Sequence, residues 1–155
     1  MKTHSIKMVL FSPQIPPNTG AIARSCAALN TPLHLIHPLG FSISDKAVKR
    51  AGLDYWDSVT LTAHDSFEDF YKHQQSSGGR LVGFSPQGHN SYKDFAFNQN
   101  DWLMHGRESD GMPAEILEKC DTVLFIPMLN PKIRSLNLAT SAALTLFEAV
   151  LQVCK

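Results

Sequence analysis

Short apolar runs recur along the chain, separated by stretches with helical character, and this alternation constrains the fold more than any other feature. Residues 6–11 (IKMVLF), 33–37 (LHLIH), 59–62, 81–84, 102–104 and 123–126 read as strands. Residues 19–30, 45–51, 66–75, 114–119 and 136–153 read as helices. Strands this short and this apolar are expected to be covered on both faces. The expected architecture is therefore α/β, a mostly parallel sheet flanked by helices. At 155 residues, the expectation is a single domain over 1–155, with Pro16-Pro17, Gly78-Gly79 and the proline-bearing stretch 127–131 punctuating loops.

Composition narrows the class. A hydrophobic fraction of 43% excludes a disordered tail, and 18% charged residues lies below the ~25% of an average domain, as expected if a second copy covers part of the surface. No apolar run approaches the ~20 residues of a membrane span, and residues 1–11 lack a signal-peptide pattern. Three cysteines, Cys26, Cys120 and Cys154, are an odd set without CxxC spacing, which fits reduced thiols in a cytoplasmic protein. The formal charge is zero, yet residues 1–53 carry six Lys/Arg against Asp45 alone, while residues 54–121 carry twelve acidic against five basic side chains. Nucleic acid can be bound by a neutral protein whose basic residues share a face. Lys46, Lys49 and Arg50 are candidates, and a plain solvated surface is the competing account.

Two helices stand out. Residues 19–30 (TGAIARSCAALN) carry one charge, Arg24, with Asn18 expected to cap the N-terminus. An arginine on so apolar a helix is expected to be partly buried and to need an anion. That anion is either a phosphate or a carboxylate from Glu108, Asp54 or Asp57. The last helix has one apolar stripe through Leu136, Ala139, Ala143, Phe147, Val150 and Cys154, and a second through Leu138, Ala142, Leu146, Ala149 and Val153. One stripe suffices to cover a sheet. Two imply a neighbour, and a homodimer through this helix is expected.

Ligands of open parallel sheets bind beyond the carboxyl ends of the strands. Three loops follow expected strands there: Ser85-Pro86-Gln87-Gly88, the loop 105–111, and the loop 127–135 (PMLNPKIRS). No GxGxxG or GxxxxGK[ST] motif is present, and the spacing around Ser109 misses the G-x-S-x-G elbow by one residue. His34 and His37, three apart on a strand, point to opposite faces, and no His/Cys pair has ligand spacing, so no metal is expected.

The loops and the small-residue helix together carry a resemblance. Pro17-Asn18-Thr19-Gly20-x-x-x-Arg24-x-x-Ala27, then Gly106-x-Glu108-x-x-Gly111-x-Pro113, then Ile126-Pro127-Met128 with Arg134-Ser135-x-Asn137-Leu138 resembles the three ordered motifs of SPOUT-class (SpoU/TrmH-like) RNA 2'-O-methyltransferases. With Gly52-Leu53-Asp54-Tyr55 after the second helix, the chain is most similar to the TrmL (YibK) group, which methylates the wobble-nucleotide ribose of certain tRNAs. The resemblance spans nearly the whole chain. It implies a homodimer and a C-terminal trefoil knot, an exception to the rule that chains do not knot. It also implies S-adenosylmethionine as cofactor, converted to S-adenosylhomocysteine, and tRNA as partner.

Carried over by position, the resemblance implies cofactor contacts at Phe84, Gly106, Ile126, Ser135 and Leu136, and catalytic positions at Asn18, Arg24, Glu108 and Asn137. RNA binding is assigned to Lys46, Lys49, Arg50 and Arg134. Each polar residue also has a plain structural account: Asn18, Ser135 and Asn137 as helix caps, Glu108 as the ion-pair partner of Arg24. The chain departs from the group's usual pattern at Ser85-Pro86-Gln87 for Thr-Thr-Lys, Arg107 for proline, Ala139-Thr140 for Ser-Asn, and Phe147 for tyrosine. These substitutions keep open an RNA-binding protein without transferase activity, and the residues alone also admit a flavodoxin-like cofactor-binding module.

Overall fold

The computed structural model describes residues 3–51 and 55–155. Seven strands form one sheet: β1 (Lys7–Phe11), β2 (Leu33–Ile36), β3 (Leu61–His64), β4 (Leu81–Phe84), β5 (Asn90–Ser91), β6 (Trp102–His105) and β7 (Thr122–Phe125). Their order is β3-β2-β1-β6-β4-β7-β5, and every pairing is parallel. The helices are α1 (Pro16–Ala28), α2 (Lys46–Ala51), α3 (Phe67–Ser77), α4 (Ala114–Leu117) and α5 (Leu138–Val153).

The period-two alternation of strand side chains builds two cores. Met8 and Leu10 of β1, Val82 and Phe84 of β4 and Leu103 of β6 face Ile22, Ala23 and Cys26 of α1 and Ala142, Leu146 and Ala149 of α5. Val9, Phe11, Leu81, Trp102 and Met104 face the other way, onto Phe70 of α3 and Ile116 of α4. Both faces are covered, as the apolar runs require.

Several boundaries differ from expectation. The third strand lies at Leu61–His64 rather than 59–62, because its register is set by pairing Leu33 with Leu61 and Ile36 with His64. Helix α1 begins earlier, at Pro16, since proline is preorganised for a first turn that needs no N–H from it. Helix α5 begins later, at Leu138, because Asn137 accepts from the N–H groups of Ala139 and Thr140 and ends the preceding loop. Two-residue β5 gives no sequence signal at all.

The last helix also turns differently from expectation. Thr145, in neither apolar stripe, is fully buried, whereas Phe147 of the first stripe is exposed, with Leu144 and Leu151. The thiols are free among the described residues, and burial pushes Cys26 and Cys120 up to about 12, which disfavours their thiolates. No described helix is long and apolar enough to cross a membrane.

Candidate active site

Strand order reverses between β1 and β6: the chain runs outward from β1 to β2 and β3, then returns to build β4 and β6 on the other side. Such a switch point opens a crevice, because the loops leaving the two strands diverge to opposite faces. Here it is stitched. Glu108, three residues beyond β6, accepts the backbone N–H groups of Gln14 and Ile15 at 2.8 Å each, and the Asn18 side-chain amide at 3.3 Å. Ser109 N–H donates back to the Gln14 carbonyl oxygen of its side chain at 3.0 Å.

The chain of hydrogen bonds continues to the third motif. Asn137 Nδ2 donates to Asn18 Oδ1 at 3.2 Å, and Asn137 Oδ1 accepts from Ala139 N–H at 2.9 Å and Thr140 N–H at 3.4 Å. Its direction follows from chemistry. An ionised carboxylate only accepts, so Asn18 must turn its NH2 to Glu108 and its oxygen to Asn137, which then has its own oxygen free to cap α5. Residues 18, 108 and 137, distant in sequence, are thus joined in one relay linking the loops after β1, β6 and β7.

Several expectations fall here. Asn18 does not cap α1: Ile15 holds that position without a side-chain bond, and Asn18 is the third helical residue, buried and turned into the relay. Glu108 is not the partner of Arg24, because three N–H donors already occupy its carboxylate. Arg24 itself is exposed rather than partly buried, and among the described residues its guanidinium lies 4.7 Å from the centroid of the Tyr55 ring. Asp57 does not pair with it, and Asp54 lies outside the described residues, as do Gly52 and Leu53. Ser135 caps nothing.

The loop after β6 is shaped for close approach. Arg107 and Gly111 exchange two backbone hydrogen bonds at 3.0 and 2.9 Å, with Gly111 at φ +68°. A Cβ at Gly106 would collide with the backbone of Gly111 and Met112. Arg107, which stands where the resembled group has proline, restrains the same turn with a fork onto Asp110 at 2.7 and 3.2 Å. That pair holds the Asp110 carboxyl below its ordinary range.

Beneath the loops, Phe84 stacks on His105 with centroids 4.5 Å apart and planes 5° from parallel. His105 Nε2 meets Thr145 Oγ1 at 2.9 Å, while the Thr145 hydroxyl lies 3.1 Å from the Ser141 carbonyl. With the Thr145 proton given to the Ser141 carbonyl or to that of Ala142 at 3.2 Å, the hydroxyl oxygen accepts from His105 Nε2–H, and burial, which pushes the imidazole pKa down to about 3, keeps the ring neutral. His105 and Thr145 were missed by sequence reasoning; a histidine inside an apolar strand run was the available signal. Of the expected cofactor positions, Phe84, Gly106, Ile126 and Leu136 are buried or half-buried, and Ser135 is exposed on the loop before α5. That loop also exposes Leu129 fully and Ile133 by 48%.

The expected RNA-binding residues are all exposed: Lys46, Lys49 and Arg50 on α2, and Arg134 on the loop before α5. Helix α2 packs on α1, the helix that carries Arg24. A histidine pairing that sequence spacing did not find lies elsewhere. His34 Nδ1 and His64 Nε2 of neighbouring strands are 2.9 Å apart, with His73 beside them.

Residues 5–147 match the model of the SpoU rRNA Methylase family. The chain belongs to that family. A relative from Synechocystis sp. is 52% identical over 144 residues, 93% of this chain and 94% of its own length. A Beijerinckia indica relative, named tRNA (cytidine(34)-2'-O)-methyltransferase, is 43% identical over 94% of this chain and 91% of its own. Among solved structures, one described as giving insights into the 2-OH methylation of C/U34 on tRNA superposes with TM-score 0.92 at 46% identity, covering 96% of both chains. The SpoU methyltransferase AviRb from Streptomyces viridochromogenes, in complex with the cofactor AdoMet, superposes with TM-score 0.84 at 29% identity. That match covers 98% of this chain and 59% of AviRb. The relay therefore sits in a chain that matches these relatives over 93% to 98% of its length.

Proposed function

We propose that this SpoU-family chain transfers a methyl group from S-adenosylmethionine to the ribose 2'-hydroxyl of a tRNA wobble nucleotide, cytidine or uridine. The observation that carries the reading is the Glu108–Asn18–Asn137 relay, which joins the three motifs at the switch point, with Arg24 six residues further along the helix that carries Asn18. The names of the relatives at 43–46% identity supply the nucleotide.

The floor of the site suits the cofactor. Phe84 stacked on buried, neutral His105 keeps the layer under the loops uncharged, and the collision that any side chain at Gly106 would cause leaves that position as bare backbone. A neutral His105 also adds no positive charge beneath a sulfonium. Bound there, S-adenosylmethionine supplies an electrophilic methyl carbon for in-line displacement. The residues supply alignment, which by itself removes several kcal/mol of barrier. Arg24 holds a phosphate of the target nucleotide with its planar fork and stabilises the 2'-alkoxide as its proton leaves to solvent or a neighbouring base. Arginine side chains are poor resting bases, so the role assigned is electrostatic. Glu108, Asn18 and Asn137 position the loops, and no metal enters.

Lys46, Lys49, Arg50 and Arg134 form the RNA-facing cationic surface in this reading. The exposed Leu144, Phe147 and Leu151 of α5 support a homodimer through that helix, and the return of the chain from β7 to pack α5 on α1 and β6 supports the knotted path. A tRNA substrate and free thiols agree with a cytoplasmic protein. The test is incubation with methyl-labelled S-adenosylmethionine and tRNA from cells lacking the gene, followed by nucleoside analysis. Label in 2'-O-methylcytidine or 2'-O-methyluridine that Arg24→Ala abolishes is the expected result. Cofactor and RNA binding without label would instead mark a non-catalytic RNA binder.

A further inference from the structure

Arg24 poses a problem that the reading above does not solve. It projects from α1 into solvent, and no described carboxylate or carbonyl fixes it. A long, flexible side chain carries rotamer entropy, which must be lost whenever the fork meets phosphate and alkoxide. Something must hold it beforehand, or each turnover begins with a search.

The plate under it is Tyr55. The guanidinium carbon lies 4.7 Å from the ring centroid, within the range of a cation–π contact. Tyr55 is itself anchored. It precedes the 3-10 turn Trp56–Ser58, its carbonyl accepts the Ser58 N–H at 2.9 Å, and the neighbouring Trp56 packs against the core formed by α1 and the sheet. Tyr55 nonetheless stays 38% exposed, an aromatic ring at the surface with one face given to Arg24. Stacking uses the face of a guanidinium and leaves the five N–H donors of its edge free. An ion pair would have consumed those donors.

We infer that Tyr55 is a positioning residue for Arg24: its ring pre-orients the guanidinium by stacking, with the hydrogen-bonding edge left for RNA. This rests on the proposed role of Arg24. The ring is what matters, so Tyr55→Phe should keep the function and Tyr55→Leu should lose it. A stack at an exposed site shifts a population by about two- to fivefold, and kcat should fall by that factor in Tyr55→Leu.

The experiment combines NMR of the free protein with kinetics. In the wild type, ring current shields the Arg24 Hε proton. In Tyr55→Leu its resonance should move downfield and kcat at saturating tRNA should drop about two- to fivefold, with the Kd for S-adenosylmethionine and the Tm unchanged. Tyr55→Phe should match the wild type in all four. An unshifted Arg24 resonance, a Tyr55→Leu variant with full kcat, or a Tyr55→Phe variant equally impaired would each overturn the inference while leaving the transferase reading intact. A wild-type protein that transfers no methyl group would overturn both.

Discussion

The relay of Glu108, Asn18 and Asn137 turns three isolated polar residues into a directional structure, because a carboxylate at one end dictates which way both amides face. Its members separate by substitution. Glu108→Gln replaces an acceptor of three N–H groups by a side chain that must turn one NH2 toward a donor. A loss of about 1–3 kcal/mol is expected, seen as a fall of several degrees in Tm. Asn137→Asp keeps the oxygen that caps α5 but removes the donor to Asn18. Its Tm should stay close to wild type while methyl transfer falls about tenfold, equivalent to ~1.4 kcal/mol of barrier; steady-state rates beside a melting curve decide it. A parallel loss of Tm and rate would show that the bond to Asn18, the one thing the variant removes, holds the fold rather than the catalytic loops.

Among the elements, α2 and α5 carry the expectations that reach beyond the single chain. Reversing Lys46, Lys49 and Arg50 to glutamate should weaken tRNA binding and flatten the dependence of log K on log salt, since fewer counterions are released per complex. Filter binding across a salt series reads both, and an unchanged slope would remove α2 from the interface. On α5, Leu144, Phe147 and Leu151 recur at helical spacing yet face solvent, while Thr145 between them is buried against His105. If the chain pairs through α5 as proposed, it should sediment as a dimer, and Leu144→Glu with Leu151→Glu should convert it to a monomer with secondary structure retained. The strand and helix pattern was legible from apolar periodicity. The rotation of α5 was not, because a helix apolar on two sides fits a sheet in more than one orientation, and a single buried hydrogen bond from His105 to Thr145 chooses between them.

At the scale of the whole molecule, buried neutral histidines set the response to acid. Burial pushes His105 down to about 3, and burial with the nearby His64, His73 and Lys7 pushes His34 down to about 4; His64 is lowered as well. In the unfolded chain these imidazoles take up protons near their ordinary 6.5, while in the fold they do not until the lower values are reached. Between those limits the unfolded state binds more protons, so stability falls as pH drops from about 6.5 toward 4 and is level above about 7. Denaturant melts at pH 7.5 and pH 5 measure the difference, and equal stability at both would contradict burial of the neutral rings. Cofactor acts in the opposite sense. S-adenosylmethionine at a hundred times its Kd should add about 2.7 kcal/mol to the folded state.

Local sequence was enough to determine the alternation of strands and helices, the two-faced apolar strands, the freedom of the thiols and the three motifs whose order carries family membership. These are properties of neighbouring residues: period-two and period-3.6 burial, glycines where backbone must approach backbone, and fixed spacings. Only the tertiary structure decided what the polar motif residues do. Glu108, one of the carboxylates considered for Arg24, holds the backbone of Gln14 and Ile15, while Asn18 was expected to cap and instead bridges. His34 was judged against His37, its neighbour in sequence, when its partner is His64 on the next strand. A hydrogen bond has no signature in the spacing of residues ninety positions apart. It exists because β1 and β6, remote in the chain, lie side by side in the sheet and deliver their loops to the same place.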